Sequence, residues 1–230
     1  LVAVWLGSLA AAHRGGRRDA LLRLFSVASL STPQFVLGIV LLMLVYGGTG
    51  RFPPGRLSPN LEAFVMSADF VRYTGLNTVD AVLNRSPEVF LDALQHLLLP
   101  AFTLAITGCA GLLRLTRGAM LEALGQDYVT AARAKGVREP RVIGHHARRN
   151  AMIPITTVAV GMVVGLLSSG VVIIEQVYNY PGLGVWTLQA TRVFDVPAVI
   201  GVVLVGATLF VVGNLVADLL YAVLDPRIRY

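Results

Sequence analysis

The sequence predicts a polytopic all-α membrane protein, and three observations carry that reading. Of its 230 residues 55% are hydrophobic and only 14% are charged, where an ordinary soluble domain carries about 25% charge. The mean hydropathy is +0.70. Apolar stretches of roughly 20 residues, the length that crosses a bilayer as a helix, recur along the chain.

Five apolar segments follow in order. Residues 1–12 are too short to span. With no Met and no signal-peptide pattern at the start, they read as the remainder of a helix begun upstream. The second segment is 25–46, with Pro33 near its start. The third is 94–115, with Pro100 inside it. The fourth is 153–177 and the fifth 197–224. Proline is tolerated in such helices because neighbours satisfy the carbonyls it frees. One further helix upstream would bring the total to about six.

Charge orients these helices. Fourteen of the nineteen cations fall in three polar breaks: Arg14 to Arg23, Arg114 to Arg149, and Arg227 with Arg229. The other two breaks dilute Arg51, Arg56, Arg72, Arg85 and Arg192 with Glu62, Asp69, Asp80, Glu88, Asp92 and Asp195. Cations concentrate on the cytoplasmic side of a membrane, so the three basic breaks share that side and the C-terminus is cytoplasmic. This distribution accounts for the net charge of +6 without nucleic acid as a partner.

Residues 47–93 then form a long external loop. Gly47, Gly48, Gly50, Pro53, Pro54, Gly55 and Pro59 make its first part irregular, and 61–91 reads as short interfacial helices. Small residues punctuate the spans: Gly161 and Gly165 in a Gly-x-x-x-Gly pair, then Ser168, Ser169 and Gly170, and later Gly201, Gly206 and Gly213. They fit close helix packing in lipid or a helix pair lining a pathway. The single cysteine, Cys109, lies in an apolar segment and reads as a buried, inert thiol.

The cytoplasmic segment 116–152 is the most informative. Met120, Leu124, Tyr128 and Ala131 fall at helical spacing and predict one apolar stripe on a helix continuing the third span. Gly136 ends it, because glycine takes positive φ without strain. Pro140 fits the first turn of a second helix, where its missing N–H costs nothing. Val142, Ile143 and Ala147 give that helix an apolar face, and Arg138, Arg141, Arg148 and Arg149 a basic one. Pro154 is expected to open the fourth span. A solvated basic loop has no need of an ordered apolar stripe, so the 127–150 helix pair reads as a docking element.

Several blocks resemble a known family. Thr130-Ala131-Ala132 followed by Gly136 is similar to the Glu-Ala-Ala-x-x-x-Gly signature (the EAA motif) of permease subunits of binding-protein-dependent ABC importers. Its ending resembles Ala151-Met152-Ile153-Pro154. Ala132-Arg133-Ala134-Lys135-Gly136 and Arg149-Asn150-Ala151 resemble the dipeptide/oligopeptide/nickel branch. So do Tyr180-Pro181-Gly182-Leu183-Gly184 and Leu220-Tyr221-Ala222-Val223-Leu224-Asp225-Pro226-Arg227. Thr130 stands where the signature has Glu, which weakens only an acidic contact there.

The resemblance implies a type I importer transmembrane domain over residues 1–230, in the bacterial inner membrane, forming half of a translocation pathway. It implies that Tyr128, Thr130, Ala131, Ala132, Arg133, Ala134, Lys135, Gly136 and Arg138 lie at or near the contact with an ATPase. In this reading the fork of Arg133 bonds partner carboxylates. Pro140, Asn150, Pro154, Pro181, Gly182 and Gly184 are implied as structural motif residues. The implied partners are a second homologous permease subunit, two ATP-binding subunits, an extracytoplasmic substrate-binding protein and the lipid bilayer. The implied solute is a di- or oligopeptide, with nickel chelates and glutathione-like molecules as alternatives.

Other chemistries fit poorly. A phosphate-cradling Gly-x-x-x-x-Gly-Lys-Ser/Thr loop is excluded, because Lys135 is the only lysine and Gly136 follows it. ATP and Mg are therefore expected on other subunits, with no cofactor and no catalytic residue here. His145 and His146, about 100° apart on a helix, are poor joint metal ligands. His13 and His96 read as interfacial. Acids within the membrane mark function by default, but Glu175 and Asp218 lie near helix ends and read as structural pairs or interfacial groups. Tyr180 to Gly184 reads locally as a turn. An ion-coupled secondary transporter would want a charged pair at mid-membrane and inverted repeats, and a membrane enzyme would want a catalytic cluster. Neither pattern is present in the sequence.

Overall fold

A computed structural model describes residues 1–169 and 171–224, except the side chains at 153, 167–169, 217, 218 and 220–224. Asp218's side chain and the stretch from Asp225 to Arg229 lie outside that description. All regular structure among the described residues is helical.

The chain divides into two compact units. The first holds Leu1–Ser31, Ile106–Ser168 and the chain from Val203 onward; the second holds Thr32–Ala105 and Ser169–Val202. In the first unit α1 (Val2–Ala12) packs on the later part of a long helix. Ala3, Val4, Gly7, Ala10 and Ala11 form its buried stripe. A Cβ at Gly7 would sit 2.8 Å from the Leu113 carbonyl, so glycine sets this close approach. Helix α2 (Arg17–Ser31) follows, beginning within the basic break.

The span expected over 25–46 is not one helix. Pro33 adopts φ −56°, ψ 137° and α3 starts afresh as Gln34–Leu41. Proline lacks the N–H a helix needs and drives the residue before it out of the helical region. A π-turn over Leu42–Tyr46 and a short α4 (Gly47–Thr49) carry this second piece to Gly50, at φ +68°.

The stretch expected to be external contains α5 (Pro59–Val65) and α6 (Asn77–Leu83) and leads into α7 (Pro87–Leu124). It is more than a set of interfacial helices, because Leu57, Val65, Phe70, Ala81, Val89 and Ala93 bury one another in a small core of their own. Asp80, 1% exposed, organises the loop before α6. It accepts the N–H and hydroxyl of Thr74, both at 2.8 Å, and the N–H of Gly75 at 2.9 Å. Burial pushes its carboxyl upward, but the Thr74 and Gly75 hydrogen bonds outweigh it and hold the group below the usual carboxylate range.

Helix α7 has 38 residues and is about 57 Å long at 1.5 Å per residue, far more than a bilayer's hydrocarbon core of about 30 Å. It runs uninterrupted through Pro100 and beyond both ends of the expected 94–115. Next come α8 (Asp127–Ala134) and α9 (Glu139–Arg141), a π-turn over Val142–Ala147, and α10 (Arg148–Ser169). Then follow α11 (Val172–Val177), α12 (Leu183–Arg192) and α13 (Val196–Leu224). Two expectations change here. Pro154 lies inside α10 rather than opening it, at a 51° bend between Met152 and Pro154. The stretch 153–177 is two helices, α10 and the six-residue α11.

Helices α7 and α13 are long and apolar enough to cross a membrane by themselves. Of the α13 window Val196–Val216 only 6% is buried within the chain, and its Val203, Leu204 and Phe210 lie on the surface. Lipid or another membrane helix accommodates such a surface; water does not. A Cβ at Gly213 would collide with Val164 of α10, so close packing explains that glycine. It does not explain Gly161, Gly165 or Gly201, where a Cβ meets no atom within 4 Å.

Candidate functional site

The basic segment after α7 is a packed corner of the first unit. Residues Gly125 and Gln126 break α7 from α8, so the expected single stripe is divided between two helices. Met120 is buried, but Tyr128 (38% exposed) and Ala131 face outward; Val129 and Ala132 carry the buried face instead. The physical reason is the break itself, which resets the helical phase. Val129, Ala132, Val142 and Ala147 join Met120, Ala123, Ala151, Ile155, Val4 and Ala11 in one core cluster. Burying each larger side chain contributes about 1.5–3 kcal/mol, so the corner is bonded to α1, α7 and α10 as one piece.

Gly136 forms the turn as its residue type predicts. Its φ is +76°. The Gly136 N–H donates to the Arg133 carbonyl at 2.9 Å and the Val137 N–H to the Ala132 carbonyl at 3.2 Å. That pair of bonds is a Schellman closure of α8, and Val137 packs against the core below. Pro140 sits in the first turn of α9, after Arg138 as N-cap. The π-turn that follows buries Val142 and Ala147 and presents His145 and His146, whose rings meet edge to face at 5.3 Å. Among the described residues no group of three or more His, Cys, Asp or Glu is arranged to hold a metal.

Arg133 is not a free fork. Its Nη2 donates to Glu139 Oε1 at 2.6 Å and its Nε to Oε2 at 3.1 Å. This bidentate pair spans the Gly136 turn and leaves both side chains about half exposed. Arg133 holds the Glu139 carboxyl below the usual carboxylate range. Sequence spacing hides the pair, because six residues across a turn is no helical repeat. Thr130, Ala134, Lys135, Gly136 and Arg138 are exposed around it. An open groove of about 810 Å³ beside the turn is lined by Lys135, Arg138, Arg141, His145 and His146 among others. Asn150 lies on α10, donating to the His146 carbonyl at 3.3 Å.

A second ion pair ties down the same unit. Asp19, 2% exposed, accepts Arg117 Nε at 2.6 Å and Nη2 at 2.9 Å, and the Gly15 N–H at 3.0 Å. The Arg117 bonds hold its carboxyl at about 2. In the sequence Arg117 is one cation among many.

In the second unit the Tyr180 to Gly184 block is organised by Glu175. Its carboxylate accepts the N–H groups of Val185 (2.7 Å), Gly182 (3.2 Å), Gly184 (3.2 Å) and Val171 (3.3 Å). Three of these belong to the start of α12, where a carboxylate meets unsatisfied donors and the positive end of the helix dipole. The motif glycines make room for it. A Cβ at Gly182 would lie 2.9 Å from Glu175 Oε1, and one at Gly184 would lie 2.7 Å from Val172 Cγ2 and 2.9 Å from its backbone nitrogen. Pro181 precedes the helix in the turn. Beside it Tyr178, 1% exposed, donates to the Gly38 carbonyl at 3.0 Å and lies 2.7 Å from Thr103 Oγ1. Nothing in the sequence marks Tyr178, because a lone tyrosine beside a motif carries no periodic signal.

Comparisons with known proteins identify the family to which the chain is similar. A family model described as binding-protein-dependent transport system inner membrane component matches residues 3–230. The dipeptide transport system permease protein DppB of Escherichia coli K12 is 39% identical over 229 residues, which is 100% of this chain and 66% of that protein. The di/tripeptide transport system permease protein DppB of Pseudomonas aeruginosa UCBPP-PA14 is 40% identical over 225 residues, 97% of this chain and 65% of its own length. The oligopeptide transport system permease protein AppB of Bacillus subtilis 168 is 35% identical over 230 residues, 100% of this chain and 65% of its own. The chain thus spans just under two thirds of the length of these relatives.

Proposed function

The chain belongs to the family of binding-protein-dependent transport system inner membrane components, and we propose that it is one transmembrane half of an ATP-driven importer of short peptides. It is accordingly a protein of the bacterial inner membrane. The peptide class is supported by relatives named for dipeptides, di/tripeptides and oligopeptides.

The observation that carries the mechanism is the corner around Gly136. Its outer face exposes Tyr128, Thr130, Ala131, Lys135 and Arg138, while its inner face is locked into the core with α1, α7 and α10. A push on the outside therefore moves the membrane helices rather than bending the corner. In this reading two ATP-binding subunits, with ATP and Mg, grip the corner in the cytoplasm, the side on which the C-terminus also lies. A second homologous permease completes the pathway, and an extracytoplasmic binding protein delivers solute. Nucleotide binding and hydrolysis then switch the helices between two discrete packings, giving alternating access. The whole stretch 116–152 serves as the coupling segment and 47–93 faces the outside.

Reconstitution tests this. Proteoliposomes holding the assembled complex are expected to accumulate dialanine only with ATP and the binding protein together. Uptake by this chain alone, without ATP, overturns the proposal.

A further inference from the structure

The second unit holds a cavity of about 420 Å³ whose lining includes Arg56, Glu62, His96, Pro53, Pro59 and Pro181. We infer that this cavity is a station for the solute, taking the carboxylate of a short zwitterionic peptide on Arg56 and its ammonium group on Glu62. The inference rests on the peptide-importer reading above.

The cavity is built rather than incidental. Its size falls in the range of about 300–1,000 Å³ typical of small-molecule sites. Its walls are stiff, because proline fixes φ. The Gly55 N–H donates to the Tyr178 carbonyl at 2.8 Å. Asp92 accepts the Ser58 N–H and hydroxyl, both at 2.7 Å. These bonds hold the 53–59 loop on α7 and on the end of α11.

Arg56 lines the cavity and its guanidinium is held in place. Its guanidinium lies over the Tyr180 ring, 5.7 Å from the centroid, and Nη2 donates to the Gly75 carbonyl at 3.2 Å. Its Nε is buried and meets no acceptor among the described residues. The fork of an arginine matches a carboxylate in two parallel bonds. A peptide C-terminus supplies that carboxylate to the part of Arg56 that lines the recess. His96, 2% exposed, adds a polar wall. Its Nδ1 donates to the Asp92 carbonyl at 2.9 Å, leaving Nε2 as the ring atom able to meet a ligand.

Glu62 stands exposed on α5 at the same cavity. Among the described residues no cation pairs with it. One cation and one anion around a recess of this size match a zwitterion better than an anion or a flat protein surface. The rest of the lining, with Tyr46, Asn179 and the prolines, carries no fixed charge.

The assembled transporter in nanodiscs, without binding protein, provides the test, with dialanine, its C-terminal amide and its N-acetyl form as probes. Dialanine is expected to bind, the amide to lose at least about tenfold in affinity, and Arg56→Gln to produce the same loss for dialanine. Arg56→Lys is expected to recover only part of it, since lysine lacks the fork. Glu62→Gln, at an exposed position, is expected to weaken dialanine while leaving N-acetyl-dialanine unchanged. Wild-type affinity for dialanine in both Arg56→Gln and Glu62→Gln overturns the inference. So does an Arg56→Gln variant that weakens only the docking of empty binding protein, which would make Arg56 a protein contact. Failure of the wild-type complex to import dialanine with ATP and binding protein sinks the peptide reading itself, a separate and distinguishable result.

Discussion

Arg133 and Glu139 grip each other by two hydrogen bonds, of 2.6 and 3.1 Å, across the Gly136 turn. The pair is exposed, and exposed pairs contribute little to global stability. Its role is shape, because it holds α8 and α9 at one angle while their outer faces stay accessible. Glu139→Gln is therefore expected to lower ATP-driven uptake a few-fold while assembly and melting temperature barely move. The charge-swapped double variant Arg133→Glu, Glu139→Arg is expected to recover much of the loss. Uptake assays on the reconstituted complex, with thermal unfolding alongside, check both.

Gly136 sits at φ +76° with open space around the position of a Cβ. Substitution there meets backbone strain and no clash. Gly136→Val is expected to destabilise the turn by about 1–2 kcal/mol, and the same energy loaded onto the transport cycle lowers its rate by about tenfold. Gly136→Asn, which tolerates the left-handed region, is expected to stay near wild type. Uptake rates for the two variants, normalised to inserted protein, separate strain from bulk.

Glu175 and Gly184 form the corresponding device on the other unit. Gly184→Ala places a methyl against the Val172 backbone nitrogen, which cannot rotate away, and overpacking of this kind costs about 1–3 kcal/mol. Glu175→Gln keeps one accepting oxygen but turns an NH2 toward donors. Both variants are expected to speed amide exchange over 178–186 and to reduce uptake, with Gly184→Ala the more severe. Hydrogen exchange on the assembled complex reads this out.

Asp19 gives a pH signature. Its carboxyl lies at about 2 in the folded chain instead of the usual 3.8. A group depressed in this way contributes stability that is full above the ordinary value and is lost as pH falls through the folded one. Thermal unfolding of the complex is thus expected to be insensitive to Asp19 between pH 6 and 8. The gap between wild type and Asp19→Asn should close as pH falls from about 4 toward 2. Glu139 shifts in the same direction.

Much of this was legible in the residues. The apolar segments 1–12 and 197–224 fall within a residue or two of α1 and α13, because the polar and proline residues that bound an apolar run also bound its helix. Gly136 and Pro140 declared a turn and a helix start, since only their backbones suit those places. What periodicity could not show was phase and pairing. Gly125 and Gln126 reset the helix, moving the buried face from Tyr128 and Ala131 to Val129 and Ala132. Arg133 with Glu139, and Asp19 with Arg117, are joined by tertiary geometry that no spacing rule encodes. Pro33 broke a span that hydropathy alone ran through, because a hydropathy window weighs side chains and ignores the missing N–H.

Disulfide trapping from residue 131 discriminates best between a coupling corner and an ordinary cytoplasmic loop. Ala131 is exposed on α8, and Cys109 is the single native cysteine, so Ala131→Cys in a Cys109→Ser background carries one thiol. In the assembled complex, paired with single cysteines on the ATP-binding subunit, it is expected to cross-link efficiently, with a yield that changes when nucleotide is added. A thiol at 131 that no ATPase cysteine captures, yet that a membrane-impermeant maleimide labels from outside intact cells, would refute the coupling role.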